Sequence, residues 1–483
     1  MYYFHKDLNL GTMTHLNKSF LASVLFFAAL SLSTFAQTTE ELASYTSAEI
    51  SDIAGFFGIS SNVYTAEYGV DAYRVTYDMP YMGNTISVSG ALFVPQGMDD
   101  ACSLPVLTYM HGTIFKRTDA PSFLSSEGQF GFLMSSPGFI VLMPDYVGLG
   151  TSELMHPYVH AQSEADAGVY LIQAAETLGD ELGYSFNGEF FSTGYSQGGH
   201  ASMALSRELE TNYSDVYPLT ASAPLSGPYD ISGTQFIQIF ENTSYSNPAY
   251  LAYNIIGWNS YYGNLYEDLS EVFQEPYATG LPGMFNGEMS AMEINDYLPF
   301  LLEDLIQPGL IEEITGDPDH PFNIAAQDND VYEWVPQSPL KMYYCTEDEQ
   351  VFYQNANVAE AWMNENGALN VSSSNGGPLD HGDCAGPAIF GGMLWMQDFS
   401  VECETNHVGE ISDEAWTIAP NPSVNGTTVI SGLPTSVKWD VVDITGRTLH
   451  SGTGLHVDFS SNAEGIYLIK TDNWGMKRVL VHP

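Results

Sequence analysis

The segment Thr193-Gly194-Tyr195-Ser196-Gln197-Gly198-Gly199 follows the apolar stretch Glu189–Thr193 and precedes the helical pattern Gly199–Glu210. A serine framed as Gly-x-Ser-x-Gly between a strand and a helix predicts a sharp turn that raises the hydroxyl above the edge of a sheet. Such a turn strains the serine backbone, and a side chain at either framing glycine would collide with neighbouring backbone. The segment therefore predicts a nucleophilic Ser196.

Short apolar runs separated by helical patterns fill the middle of the chain. The runs are Pro105–Met110, Phe139–Met143, Phe190–Thr193, Leu219–Ala223 and Leu340–Tyr344. Helical patterns over Glu164–Leu178 and Gly198–Glu210 give the βαβ rhythm of a buried parallel sheet. Residues 70–77 and 86–94 alternate as the half-buried strands of an antiparallel hairpin. The predicted fold class is α/β, with a mostly parallel sheet.

A nucleophilic serine needs a base, and in sheets with this turn the acid and the histidine follow the serine along the chain. Asp348 follows the apolar strand Met342–Cys345, and His381 follows the predicted last strand, Ala368–Ser372. We therefore predict Ser196 as nucleophile, His381 as general base and Asp348 as the carboxylate that orients the imidazole.

Other residues compete for two of these roles. Glu347 and Glu349 flank Asp348 in the same loop and are alternative acids. The histidines that compete with His381 as the base are His111, His156, His160, His200 and His320. Of these, His200 lies in the first turn of the predicted helix, where we expect a structural role.

An oxyanion hole requires two backbone N–H groups near the attacked carbonyl. The residue after the nucleophile, here Gln197, supplies one of them, and the loop after an earlier strand supplies the other. Gly112 and Thr113 follow the strand Leu107–Met110. We predict the Thr113 N–H as the second donor, with Gly112 allowing the close approach.

Several motifs resemble those of the α/β-hydrolases, in a branch akin to secreted lipases. They are Tyr68-Gly69-Val70, His111-Gly112-Thr113, Pro144-Asp145-Tyr146-Val147-Gly148-Leu149-Gly150, His156-Pro157-Tyr158, Gly194-Tyr195-Ser196-Gln197-Gly198-Gly199-His200 and Ser226-Gly227-Pro228-Tyr229-Asp230. The resemblance covers roughly residues 61–397 and implies the α/β-hydrolase fold and hydrolysis of esters such as acylglycerols. Serine peptidases and other carboxylesterases are similar to this branch, so the resemblance does not decide between an ester and a peptide bond as the bond that is cleaved.

Aromatic residues are dense between Phe236 and Phe300, where 14 of 65 residues are aromatic against 13% of the whole chain. Such hydrolases insert a helical cap at this place, and we expect it at about residues 234–336. The rings serve either as an apolar wall for an acyl chain or as the core of the cap itself. The sequence leaves both interpretations open.

The first 36 residues have the character of a secretory signal peptide. The short apolar stretch Phe20–Leu32 follows Lys18, and small residues lie one and three positions before a cut after Ala36. We expect translation to begin at Met13. No later window reaches the ~18 unbroken apolar residues of a membrane-spanning helix, so we expect no transmembrane segment in the mature protein.

The cysteines number four, an even count that predicts at least one disulfide in an exported chain. A Cys345–Cys384 bridge would tie the loop of Asp348 to the loop of His381, and Cys384–Cys403 is its main rival. No pair has the Cys-x-x-Cys spacing of a zinc site, and we expect neither a metal nor another cofactor.

Charge separates the function classes further. The chain has 12 Lys+Arg against 59 Asp+Glu, a net charge of −47. A field of that sign repels phosphate backbones, which excludes nucleic-acid binding. The same field suits a neutral apolar ester as substrate and disfavours polyanionic ones.

The end of the chain changes in character. Residues 404–415 form a polar linker, and residues 416–483 contain short strands bounded by turn residues, which predicts a small β-sandwich. This part holds five basic and five acidic residues, so it is near neutral while the rest is strongly acidic.

Motifs in residues 416–483 resemble the C-terminal sorting domain of the type IX secretion system. They are Pro420-Asn421-Pro422, Asp443-x-x-Gly446-Arg447, Gly465-Ile466-Tyr467 and Lys477-Arg478-Val479. The resemblance implies a Bacteroidota protein that this machinery exports across the outer membrane and then releases or attaches to surface lipopolysaccharide. A carbohydrate-binding or adhesive sandwich is the alternative.

The sequence as a whole predicts a secreted serine hydrolase that cleaves carboxylic esters through an acyl-enzyme on a Ser-His-Asp triad. A secreted serine peptidase of the same fold is the first alternative. A catalytically silent surface-binding protein that kept the fold is the second.

Overall fold

The structure is a computed structural model that describes residues 37–401, 403 and 416–481, apart from 62, 99–101, 242–243, 425, 444–446, 463–464 and 472–474. The expected signal peptide, residues 1–36, and the expected linker, residues 404–415, lie outside the described residues. Among those described, every helix is too short or too polar to cross a bilayer.

Nine strands of the described chain form one sheet in the order β1-β2-β3-β5-β4-β6-β7-β8-β9. They are β1 Gln37–Tyr45, β2 Val70–Tyr81, β3 Asn84–Pro95, β4 Leu104–Met110, β5 Ile140–Pro144, β6 Phe186–Tyr195, β7 Leu219–Leu225, β8 Leu340–Tyr344 and β9 Val371–Asn375. β1, β2 and β3 pair antiparallel, and β3 pairs antiparallel with β5. The remaining pairs are parallel, which confirms the expected α/β class.

Helices cover both faces of this sheet because its strands are apolar on both sides. They are α1 Ser47–Phe56, α2 Phe130–Ser135, α3 Ala161–Leu182, α4 Gln197–Asn212, α5 Phe236–Glu241, α6 Pro248–Tyr262, α7 Tyr277–Gly280, α8 Ala291–Asn295, α9 Leu302–Leu305, α10 Leu310–Gly316, α11 Pro321–Asp328, α12 Gln354–Glu365 and α13 His381–Gln397. α1, α2 and α13 pack on the face that includes Phe191, whereas α3 and α4 pack on the face that includes Phe190.

Helices α5 to α11 form the cap, inserted between β7 and β8. The cap has its own core, in which Trp258, Phe273, Leu281 and Ile294 are fully buried. Part of the aromatic excess therefore serves the cap itself, which was one of the two interpretations.

Seven further strands of the described chain form a second sheet around a separate core that includes Trp416, Trp439, Phe459 and Ile469. They are β10 Thr417–Val424, β11 Thr427–Ser431, β12 Lys438–Val442, β13 Thr448–Thr453, β14 His456–Asp458, β15 Gly465–Thr471 and β16 Gly475–Val481. Their order, β13-β12-β15-β16-β10-β11-β14, agrees with an all-β C-terminal part.

The structure differs from the sequence predictions at several strands, among them β2 and β6, which are longer than predicted. β1 and β16 were not predicted, and the last strand of the first sheet is Val371–Asn375 where 368–372 was expected. β1 is a polar strand at the edge of the sheet, so it lacks the apolar signal on which the prediction relied.

Candidate active site

Ser196 lies at the sharp turn between β6 and α4. Its φ of +62° and ψ of −120° fall outside the regions that non-glycine residues favour. A Cβ at Gly194 or at Gly198 would overlap the carbonyl oxygen of Met110 on the neighbouring strand β4. Only glycine at these two positions lets the turn sit against β4, as the sequence predicted.

Ser196, His381 and Asp348 form one hydrogen-bonded chain. The Nε2 of His381 lies 2.9 Å from the hydroxyl of Ser196, and its Nδ1 lies 2.7 Å from Oδ2 of Asp348. All three residues are buried. The carboxylate accepts a hydrogen bond from the Nδ1–H group, which leaves Nε2 free to accept the serine proton. The structure thus brings together the three residues that the sequence proposed as a triad.

The loop after β8 holds Asp348 for this contact. Its Oδ1 accepts the backbone N–H groups of Gln350 and Val351 at 3.1 and 2.8 Å. The alternative acids, Glu347 and Glu349, are exposed. The Glu349 carboxylate accepts the backbone N–H of His381 at 3.2 Å. Partial burial acts to raise the pKa of Glu349, but hydrogen bonds from Gln350 and the backbone outweigh it and lower that pKa.

Tyr195 supports the imidazole from the middle of the serine turn. Its hydroxyl donates to the backbone carbonyl of His381 at 2.6 Å, and its ring lies 5.0 Å from the imidazole. Burial raises the pKa of this phenol, so it stays a neutral donor. The sequence pattern gave Tyr195 no role beyond its place between Gly194 and Ser196.

The competing histidines have other partners. Burial lowers the pKa of His111 and His160 to about 4 and that of His156 to about 3, so all three are neutral near pH 7. His320 caps the start of α11 by accepting the N–H of Phe322. None of these imidazoles touches Ser196 in the described structure, in agreement with the choice of His381.

A buried polar network beneath the serine turn was not predicted. Nε2 of Gln197 donates to Oε1 of Glu164 at 2.8 Å and to Nε2 of His156 at 2.9 Å. Oε2 of Glu164 lies 2.7 Å from Nδ1 of His200, whose Nε2 donates to the carbonyl of Asn329 at 2.9 Å. The network joins α3, α4 and the end of the cap. His200 is structural, as expected.

The backbone N–H groups near the predicted oxyanion hole differ in their hydrogen bonds. Among the described residues, the backbone N–H groups of Gln197 and Thr113 do not donate to a loop or turn carbonyl, so both stay predicted oxyanion donors. The N–H of Gly112 donates to Oε1 of Glu127 at 2.9 Å and is not free. A Cβ at Gly112 would meet described protein atoms only at 3.4 Å or more. Glu127, far along the chain from the motif, carried no sequence signal.

A small cavity of about 50 Å³ opens beside Ser196 under the cap. Its walls come from the serine turn, from the loops after β7 and β8, and from α5 and α6. The lining residues are Tyr158, Val159, Ser196, Gln197, Pro228, Ile231, Gln235, Phe236, Ile239, Tyr245, Tyr250, Leu251, Asn254, Gln350 and Val351. Cap aromatics therefore also form an apolar wall at the site, the second of the two interpretations.

Disulfides join Cys345 to Cys384 and Cys102 to Cys403. The first bridge is the pairing that the sequence analysis favoured, and it lies between the loop of Asp348 and the first turn of α13. Within the described residues, no group of three or more His, Cys, Asp and Glu side chains is arranged to hold a metal ion.

No protein-family model and no curated protein matches the sequence. One similar solved structure is the rice cell wall degrading esterase LipA from Xanthomonas oryzae, with 28% identity and a TM-score of 0.66 over 75% of this chain and 96% of LipA. A protein of Legionella pneumophila provisionally named a hydrolase is 25% identical, with a TM-score of 0.70 over 77% of this chain and all of that one.

Lipase A from Candida antarctica, in its closed state, has a TM-score of 0.57 at 12% identity, over 76% of this chain and 83% of the lipase. At that identity the likeness concerns the fold alone. The sheet order, the serine turn and these neighbours agree with one another. The chain therefore has the α/β-hydrolase fold of esterases and lipases.

Proposed function

We propose that this protein is an exported serine hydrolase that cleaves carboxylic esters, with Ser196 as nucleophile, His381 as general base and Asp348 as its orienting acid. The observation that carries the proposal is the continuous hydrogen-bonded chain from Asp348 through His381 to Ser196, with spacings of 2.7 and 2.9 Å. Hydrogen-bonded side chains of these three types activate a serine hydroxyl in enzymes on unrelated folds.

In the first half of the reaction, the Ser196 oxygen attacks the ester carbonyl carbon while Nε2 of His381 takes the hydroxyl proton. The carbonyl oxygen becomes an oxyanion, and the N–H groups of Gln197 and Thr113 donate to it. The tetrahedral intermediate then breaks its bond to the alcohol oxygen. That oxygen takes the proton from His381 and leaves as the alcohol, and the acyl group stays on Ser196.

In the second half, a water molecule gives a proton to His381 and its oxygen attacks the acyl-enzyme carbonyl. The bond to Ser196 breaks, the serine oxygen recovers the proton from His381, and the carboxylic acid leaves. Asp348 stays ionised throughout and stabilises the imidazolium that forms twice in the cycle. The negative field of the molecule then favours departure of the carboxylate product.

Two further observations support an ester as substrate. The similar LipA of Xanthomonas oryzae is an esterase. The residues that line the cavity are uncharged in the described structure, which suits a neutral ester. A peptidase of the same fold is the alternative function.

The test compares Ser196→Ala with the unchanged protein on p-nitrophenyl acetate and butyrate and on aminoacyl p-nitroanilides. We expect loss of ester turnover by several orders of magnitude with an unchanged circular-dichroism spectrum, as removal of a nucleophile predicts. Ester turnover that survives in the variant would contradict the proposal. Faster cleavage of the anilides than of the esters would favour the peptidase.

Residues 416–483 are proposed as an export signal that the type IX secretion machinery recognises. The motifs quoted above support this assignment, and so does the separate core around Trp416 and Trp439. In a Bacteroidota host, the full chain should reach the medium or the cell surface, and a chain that ends at 415 should stay in the periplasm. Equal export of both chains would contradict it.

A further inference from the structure

Glu127 places a carboxylate beside the loop that follows β4, and the proposed mechanism gives that carboxylate no role. Its Oε1 accepts the hydroxyl of Tyr109 at 2.8 Å and the backbone N–H of Gly112 at 2.9 Å. Burial raises the pKa of Glu127, and no Lys or Arg of the described chain forms an ion pair with it. A carboxylate removed from water without a cation is unfavourable, so its place depends on these two hydrogen bonds.

The two sides of this contact are rigid. Tyr109 lies on β4 and is fully buried in the core of the sheet. Glu127 begins a one-turn 3₁₀ helix, Glu127–Gln129, and a Cβ at Gly128 would lie 2.9 Å from the carbonyl oxygen of Pro121. The short helix therefore packs tightly against the backbone at Pro121, and Glu127 can shift little.

Gly112 is the flexible point of the loop, because a glycine has no side chain to restrict its backbone angles. Two contacts hold it in place. Its N–H donates to Glu127, and its carbonyl oxygen lies 2.6 Å from Nδ1 of His111. The Gly112 carbonyl and the Thr113 N–H belong to one planar trans peptide and point in opposite directions. The orientation of Gly112 therefore sets the direction of the Thr113 N–H, the predicted oxyanion donor.

An oxyanion donor is effective only when it is already in place as the charge develops. Misplacement by about 1 Å costs a factor of about 100 in rate. Without Glu127, the Gly112 N–H loses its acceptor, and rotation about Gly112 would turn the next peptide away. Glu127 is not among the residues that line the cavity beside Ser196, so its effect reaches the substrate through Gly112.

We propose, resting on the ester hydrolase function above, that Glu127 is a positioning residue for the oxyanion hole. It fixes Gly112 so that the Thr113 N–H donates to the substrate carbonyl oxygen as that oxygen becomes an oxyanion. This interaction strengthens in the transition state, so its loss lowers kcat more than it changes KM. Glu127→Ala should lower kcat about 100-fold and keep KM within about threefold, as loss of an oxyanion donor predicts.

The test that separates positioning from stability uses p-nitrophenyl acetate and its thiono analogue, in which sulfur replaces the carbonyl oxygen. Sulfur accepts hydrogen bonds only weakly, so an oxyanion hole favours the oxygen ester. Each kcat/KM is divided by the rate of the same ester in buffer, and the ratio of the two values does not depend on how much of the protein is folded. We expect a ratio of about 100 in the unchanged protein and a ratio about tenfold lower in Glu127→Ala and in Glu127→Leu.

Two further variants serve as comparisons. Glu127→Gln keeps a side-chain oxygen for both donors, so it should retain the ratio of the unchanged protein. Glu176→Ala is the matched control, because the Glu176 carboxylate also accepts a tyrosine hydroxyl, that of Tyr217 at 2.7 Å. Tyr217 lies just before β7, at the end of the strand opposite the site, so this variant should change neither the ratio nor kcat.

The ratio of the unchanged protein in Glu127→Ala or Glu127→Leu would overturn the inference and leave the ester hydrolase standing. A ratio in Glu127→Gln as low as that in Glu127→Ala would also overturn it, because an acceptor for Gly112 would then not be what matters. A ratio near one in the unchanged protein would overturn it without any variant. Turnover of neither ester would overturn the proposed function and this inference with it, so the two failures are distinguishable.

Discussion

At the scale of single residues, the backbone of Ser196 sets the geometry of the site. Its positive φ persists because β6 and α4 hold the turn from both sides, and Gly194 and Gly198 let it lie against Met110. The strained turn places the serine hydroxyl 2.9 Å from Nε2 of His381. The same backbone thus positions the proposed nucleophile and the proposed oxyanion donor at Gln197.

Gly198→Ala should therefore disable the site. The added methyl would overlap the carbonyl of Met110, so we expect a loss of about 1–3 kcal/mol in the free energy of unfolding. Turnover should fall at least ~100-fold because the turn shifts. Gly55→Ala, at a position with nothing within 4 Å of the new Cβ, is the matched control. Urea unfolding measures the stability of both variants, and ester kinetics measures their turnover. Wild-type stability and turnover in Gly198→Ala would contradict this role of Gly198.

Two substitutions distinguish the role of Asp348 from that of Glu349. Asp348→Asn keeps the shape but no longer holds the His381 proton at Nδ1, so kcat should fall by about four orders of magnitude. Glu349→Gln keeps an acceptor for the His381 backbone N–H, so its effect should stay below tenfold. Steady-state kinetics of both variants on one ester shows which carboxylate orients His381. A larger loss in Glu349→Gln would make Glu349 the acid.

The sequence allowed prediction of the triad because a local motif marks Ser196 and because strand order places Asp348 and His381 after it. The sequence did not predict the hydrogen bond from the Gly112 N–H to Glu127 or the one from the Gln197 side chain to Glu164. Each of those contacts joins residues on different elements with no spacing rule between them. Polar contacts of this kind depend on the packed arrangement of helices, which periodicity does not encode.

At the scale of elements, the start of α3 carries a pH-dependent contribution. His160 is its N-cap, and Nδ1 accepts the N–H of Ser163. Burial lowers its pKa to about 4, whereas an unfolded histidine titrates near 6.5. The unfolded chain therefore binds more protons between these values, and His160 makes the free energy of unfolding fall as the pH drops from 6.5 to 4.

His160→Asn retains an N-cap acceptor and removes the titration. The difference in Tm between pH 7 and pH 5 should become smaller than in the unchanged protein. Burial raises the pKa of Asp166 and Asp330 to about 6, which acts in the opposite direction in both proteins and so cancels in the comparison. His456→Asn, at an exposed position, is the control. Equal pH dependence in His160→Asn and the unchanged protein would contradict a neutral buried His160.

The Cys345–Cys384 bridge joins the loop after β8, which carries Asp348, to α13, which begins at His381. It closes a loop with a sequence separation of 39 residues, for which chain entropy predicts about 4 kcal/mol of stabilisation. Replacing both cysteines by alanine should lower stability by about that amount and reduce turnover. Peptide mapping without reductant should find the 345–384 pair. A 384–403 pair would contradict the structure.

Element prediction succeeded where apolar runs are short and bounded, as at Leu340–Tyr344, where the predicted and observed strands coincide. It failed at β1, Gln37–Tyr45, a polar edge strand that pairs with β2. The aromatic density of the cap could not be divided between core and cavity from the sequence. Trp258 is fully buried in the cap core and Tyr245 lines the cavity, yet both belong to the same aromatic stretch.

At the scale of the whole molecule, the parallel part of the sheet assembles the site. Ser196 and His381 are 185 positions apart in the sequence, and Asp348 and His381 are 33 apart. β6, β8 and β9 run in one direction, so their carboxyl ends meet at one edge of the sheet. The loops after these strands carry the three side chains, so the topology accounts for their convergence.

The central claim is that one serine of the whole molecule is an activated nucleophile. Treatment of the intact protein with a fluorophosphonate, followed by mass spectrometry of its peptides, tests this most directly. We predict a single adduct on Ser196 that is absent in Ser196→Ala and forms far more slowly in His381→Ala. An unlabelled protein, or an adduct on a different serine, would contradict the account.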